Sequence, residues 1–137
     1  MKKIICILLC AGISNFVSAQ TKVPAVVEAS FHQKFPKAAS VKWEKESQSE
    51  YEASFTHEGK KCSASFSPDG KWMETEIEIS AAPANITEAF HKAFPGATIG
   101  QVYQIDADHK PIYYELEYVL NGKKKEAKFD ASGKLMH

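Results

Sequence analysis

The chain has 137 residues, with 17 basic residues, all of them lysine, balanced by 17 aspartates and glutamates. That balance gives no general attraction to nucleic acid, and without arginine the chain lacks the planar fork that grips phosphate or carboxylate at two points. The length suits one ordinary domain or two very small units sharing a core.

The first segment reads as an export signal. Lys2 and Lys3 precede an apolar stretch from Ile4 to Val17, and Val17-Ser18-Ala19 ends in the small residues that suit cleavage. The stretch is shorter than the roughly 20 residues that span a bilayer and is interrupted by Gly12, Ser14 and Asn15, which argues against a membrane anchor. Leu9 before Cys10 does not fit lipid attachment there. Cleavage after Ala19 removes Cys6 and Cys10 and leaves 118 residues with a net charge of −2, starting at Gln20. Cys62 is then alone and cannot form an internal disulfide, so the exported chain depends on its apolar core. It shares strand parity with Ala64 and Phe66, which reads as a packed thiol.

The rest of the chain is written twice. Val23-Pro24-Ala25 through Phe35-Pro36-Lys37-Ala38 matches Ala82-Pro83-Ala84 through Phe94-Pro95-Gly96-Ala97, 59 residues later. Tyr51-Glu52, Gly59-Lys60-Lys61, Ala64, Phe66 and Gly70-Lys71 match Tyr114-Glu115, Gly122-Lys123-Lys124, Ala127, Phe129 and Gly133-Lys134, 63 residues later. The second copy therefore carries four extra residues, placed around Asp106 to Lys110.

Each copy opens with a helix. Val27, Phe31 and Phe35 form an apolar stripe at helical spacing, as do Ile86, Ala89, Phe90, Ala93 and Phe94. Pro24 and Pro83 suit first helical positions, and Pro36 and Pro95 stop the helices. A first strand is expected over about 40–46 and 99–105, with Gly100 marking a bulge and the register between the copies left open.

The period then changes to two. Tyr51, Ala53 and Phe55 point one way, Glu58-Gly59 turns, and Cys62, Ala64 and Phe66 return. Pro68-Asp69-Gly70 turns again, and Met73, Thr75, Ile77 and Ile79 alternate with Glu74, Glu76 and Glu78. In the second copy Tyr114, Leu116, Tyr118 and Leu120 lead into Asn121-Gly122, a strong hairpin signal, followed by Lys125, Ala127 and Phe129, a turn at Ser132-Gly133 and a short strand from Leu135. The expected fold is α+β: two tandem repeats, 20–80 and 81–137, each one helix followed by about four antiparallel strands, with the helices packed on one face of the sheet and the other face polar.

Phe94-Pro95-Gly96-Ala97, the altered Phe35-Pro36-Lys37-Ala38, and the paired Gly-Lys hairpins and turns resemble those of the PepSY-like exported proteins, a beta-lactamase-inhibitor-like family common in Bacteroides-type bacteria. The resemblance spans about Val23 to His137. It implies a tandem helix-plus-sheet architecture similar to beta-lactamase inhibitory protein and a binding or inhibitory role in the periplasm or outside the cell, with no catalytic residues to carry over. Lys37 departs from the glycine of the motif, at the helix exit.

No chemistry-bearing constellation stands out. His32, His57, His91, His109 and His137 lack metal-ligand spacing, and His32 and His91 hold equivalent positions beside the phenylalanine stripe. No nucleophile elbow is present, and the alternating Glu74, Glu76 and Glu78 read as a solvated strand face, so neither catalysis nor a cofactor is expected. The lysines at 60, 61, 123–125 and 128 fit protection of strand ends and pairing with the glutamate rows at 52, 74–78, 115 and 117.

Large aromatics on a polar face are the remaining candidates for binding. Trp72 shares the parity of Glu74, Tyr113 that of Glu115, and Tyr103 joins them; such residues anchor interfaces. The expectation is an exported, non-catalytic module that takes a protein or peptide, the sharpest version being an inhibitor of an extracytoplasmic hydrolase. The rival is a periplasmic binder of a small molecule or metal ion in a groove between the copies. N-terminal sequencing of the exported protein should read from Gln20; an intact Met1 or a different start would overturn the cleavage assignment.

Overall fold

The computed structural model describes residues 21–136. The export signal, its cleavage point and His137 lie outside the described residues. The elements follow in the order α1 (Ala25–Lys34), β1 (Ala39–Ser47), β2 (Glu50–His57), β3 (Lys60–Phe66), β4 (Trp72–Ile79), α2 (Ala84–Ala93), β5 (Thr98–Ala107), β6 (Tyr113–Leu120), β7 (Lys123–Asp130) and β8 (Leu135–Met136). The strands form one eight-stranded sheet in sequence order, every neighbour antiparallel.

Both helices lie on one face of this sheet. Beneath α1, Val27 and Phe31 are fully buried with Ala53, Phe55, Ala64 and Phe66; beneath α2, Ile86 and Phe90 are fully buried with Val102, Leu116, Ala127 and Phe129. Ile77 packs against the first cluster and Ile79 against the second. Two residues apart on one strand, they place both clusters on the same side. Phe31 meets Phe55 edge-on at 5.0 Å and Phe90 meets Tyr118 edge-on at 5.1 Å, the favoured arrangement for aromatic rings.

Pro24 and Pro83 sit one residue earlier than expected, at the N-caps. Their carbonyls accept hydrogen bonds from the N–H groups of Val27 and Glu28, and of Ile86 and Thr87. The open question of register is resolved by the bulges. Between Ala39 and Lys42, and between Ile99 and Val102, the pairing slips, after which Trp43 faces Ala53 and Val102 faces Leu116. Trp43 and Val102 thus keep the 59-residue spacing, with Gly100 inside the second bulge as expected.

The two-residue turns at Glu58-Gly59 and Asn121-Gly122 have positive φ at both positions, the twist that suits a tight hairpin. Gly70 is constrained differently. Its φ is +84°, and a Cβ there would lie 2.9 Å from Ser30 Oγ and from the Val26 carbonyl of α1, whereas a Cβ on Gly59, also at positive φ, would meet nothing. Gly59→Ala should cost about 1 kcal/mol from backbone strain alone, and Gly70→Ala clearly more, as α1 must shift. Chemical denaturation of the two variants checks this; equal losses would mean that α1 does not rest on the turn.

Candidate binding face of the sheet

The face without helices is set by alternation from the strands just described. It carries Glu52 on β2, Ser63 and Ser65 on β3, Glu74, Glu76 and Glu78 on β4, Tyr103, Ile105 and Ala107 on β5, and Tyr113, Glu115 and Glu117 on β6, side by side through the register. Ile105, Ala107 and Tyr113 form an apolar cluster with Tyr103 packed against it. Ile105 is 1% and Tyr113 6% exposed. Tyr113 is therefore on the expected face but forms the floor of the patch, while Tyr103 is only half-buried.

Trp72 is a correction. Alternation along β4 placed it with Glu74, but Phe66 pairs with Trp72 while Ser65 pairs with Glu74, so Met73 is an extra residue at a bulge. The bulge turns Trp72 to the helix side, where it packs against the first core. Its indole N–H donates to Thr75 Oγ1 at 2.9 Å, and Lys34 Nζ of α1 lies 3.7 Å from the ring centroid. Met73, expected inside, is exposed instead. Its carbonyl accepts the Asp108 N–H at 2.8 Å, and Asp108 pairs with Lys71 at 2.9 Å, so the extra residues of the β5–β6 connection brace the bulge. The sequence held one signal for this: Leu135, the counterpart of Trp72, is an aliphatic residue, and it pairs with Phe129 in the same way.

Burial, and then like charge, shapes the electrostatics of the face. Glu52 stands directly opposite Glu44 on β1. Burial, then the charges of Glu76, Glu46, Glu50 and Glu44, push the Glu52 carboxyl up to about 7. Glu46 and Glu117 are raised as well, each first by burial and then by neighbouring glutamates. Burial, reinforced by Glu117, Glu78, Glu76 and Glu115, pushes the Tyr103 hydroxyl up to about 12. Two of the expected lysine pairings form: Lys128 to Glu115 at 3.0 Å and Lys61 to Glu78 at 3.6 Å.

Elsewhere, His32, His91 and His109 are exposed. Cys62 is buried in the first core, and burial raises its thiol. Among the described residues no three His, Cys, Asp or Glu side chains converge to hold a metal, and no helix is long and apolar enough to cross a membrane.

Two short helices on one face of a continuous antiparallel sheet, with the opposite face open, define a beta-lactamase-inhibitor-like α+β fold. The family described as "Putative beta-lactamase-inhibitor-like, PepSY-like" matches residues 14–60 and 49–137, and the chain belongs to it. Solved structures share the fold, among them three from Bacteroides species. A protein from Bacteroides eggerthii described as periplasmic has a TM-score of 0.77 at 19% identity, over 85% of this chain and 87% of that one. A DUF2874 family protein from Bacteroides uniformis has 0.77 at 20%, over 85% and 88%, and a BLIP-like protein from Bacteroides fragilis 0.72 at 20%, over 85% and 84%. No curated protein matches the chain.

Because the folded Glu52 carboxyl titrates above the 4.5 of an ordinary glutamate, the folded state holds this proton more tightly than the unfolded chain. Its contribution to stability is largest below about pH 4.5 and falls as pH rises through about 7. Glu52→Gln should flatten that fall and make the protein more stable at about pH 8, by about 1–2 kcal/mol once solvent screening is allowed for. Urea denaturation across pH measures it, and an unchanged pH profile would show that Glu52 is not buried among its neighbours' charges.

Proposed function

We propose that the mature chain is an exported, non-catalytic module of two units, 20–80 and 81–137, that binds a protein or peptide partner through the helix-free face. The observation that carries this is Tyr103, half-buried and packed over a floor of buried Ile105, Ala107 and Tyr113 on a face that no helix covers, bordered by Glu74, Glu76, Glu78, Glu115 and Glu117. An apolar centre with a charged rim is the anatomy of a binding surface, and the carboxylates suit a partner with a basic rim around an apolar protrusion. Trp72 lies outside this face, so Tyr103 is the accessible aromatic.

Several observations support the compartment and the class. The signal-like start fits export, and one solved neighbour is described as a periplasmic protein. The likeness to a BLIP-like protein favours inhibition of an extracytoplasmic hydrolase as the sharpest form of the binding role.

Capture from envelope and culture-supernatant extracts, with Gln20–His137 as bait, tests the reading. Tyr103→Ala combined with Glu117→Lys should lower partner retention by about tenfold or more, the effect of losing a central aromatic and inverting a rim charge. Undiminished retention by a variant with a native circular dichroism spectrum would rule the face out.

A further inference from the structure

The two halves of the sheet finish differently. In the first, β4 runs along β3 through Cys62↔Ile77, Ser63↔Glu76, Ala64↔Thr75, Ser65↔Glu74 and Phe66↔Trp72. In the second, among the described residues, β8 meets β7 at Lys128↔Met136 and Phe129↔Leu135. Among the described residues, no strand lies along the outer side of Lys123–Ala127. A strand edge of that length presents unpaired N–H and C=O groups.

The core beneath this edge is open as well. A cleft of about 390 Å³ is lined by Phe94, Tyr118, Ala127 and Leu135, with Glu126, Lys128 and Met136 at its margin. Their counterparts in the first half are Phe35, Phe55, Ala64 and Trp72, and there β4, which carries Trp72, continues along β3 with Thr75 and Ile77. Phe35 is buried whereas Phe94 is only half-buried, and exposure rises from 1% at Ala64 to 6% at Ala127. Leu135 also fills less space than Trp72. The cleft thus lies where Thr75 and Ile77 of β4 sit in the first half.

We infer that the outer edge of β7 takes an extended, acidic segment of a partner polypeptide as a ninth strand, with one apolar side chain entering the cleft. Charge selects the occupant. Lys123, Lys124 and Lys125 line the edge and are exposed. In the first half, Lys61 pairs with Glu78 of β4 at 3.6 Å, and Lys124 occupies the matching position. Antiparallel pairing with β7 of a second copy would set this lysine run close to its own duplicate, which is repulsive. An incoming strand therefore places its apolar residue opposite Ala127 and carboxylates opposite Lys124 and Lys123. Opposite Glu126, which stands where β3 has Ser63, it carries a basic or neutral residue. Main-chain hydrogen bonds supply affinity and the alternating side chains supply selection, as in other cases of strand addition.

The chain's own β4 provides the probe: a blocked six-residue peptide with the sequence of Thr75–Ser80 carrying Thr75→Leu to fill the cleft, Glu76→Lys to face Glu126 and Ile79→Glu to face Lys123, with Glu78 kept to face Lys124. Titrated into isotope-labelled Gln20–His137, it should produce saturable NMR shifts at Lys123–Ala127, Phe94 and Leu135, and slow amide exchange along Lys123–Ala127. Lys124→Glu should weaken binding roughly fivefold by turning an exposed attractive pair into a repulsive one, and so should Glu78→Lys in the peptide, while Tyr103→Ala on the sheet face leaves binding unchanged. Shifts confined to the sheet face or to β1, no saturable change at β7, or self-association that covers β7 without peptide would each overturn the proposal.

Discussion

A ten-residue helix is marginal in water, and each helix here is held by one phenylalanine driven into the sheet below it. Phe31 and Phe90 are fully buried, and each touches one aromatic residue of the hairpin beneath at close to 5 Å and a second at a little over 6 Å. Burying such a side chain contributes about 1.5–3 kcal/mol, enough to make helix and hairpin depend on each other. Without these contacts the sheet would have two wet faces and no core. Because both contacts fall on one side, the opposite side is left for solvent or a partner.

That open side is not neutral ground. Rows of glutamate across β1, β2, β4 and β6 repel one another, and burial together with that repulsion raises the Glu52, Glu46 and Glu117 carboxyls. Lys61 and Lys128 relieve part of it. A surface that only needed to stay soluble would intersperse the two signs of charge. Concentrated carboxylates around Tyr103 are what the proposed complementary partner would meet.

Most of the architecture was legible in the sequence because its signals are local or repeated: the phenylalanine spacing, the prolines around the helices, Asn121-Gly122, and alternation in β2, β3, β6 and β7. The parity of Cys62 and the bulge at Gly100 could be read for the same reason. Trp72 could not be placed by alternation, since one extra residue at Met73 reverses every side chain before it. Depth on the open face was equally hidden. Tyr113 reads as a surface residue from its glutamate neighbours, yet Ile105 and Tyr103, brought beside it by the β5–β6 pairing, help to cover it.

Where the halves agree and where they part is itself informative. Positions under the helices keep their chemistry: Phe31 and Phe90, Phe55 and Tyr118, Phe66 and Phe129. On the open face the spacing that matches Trp43 with Val102 also matches Glu44 with Tyr103 and Glu46 with Ile105, and the later spacing matches Glu50 with Tyr113. One half thus presents carboxylates where the other presents an apolar patch, although the backbone positions correspond. Folding constrains the helix side of both halves alike, because the same ring must fill the same space. It places no such demand on the open side, where the halves are free to diverge into one that is acidic and one that is aromatic.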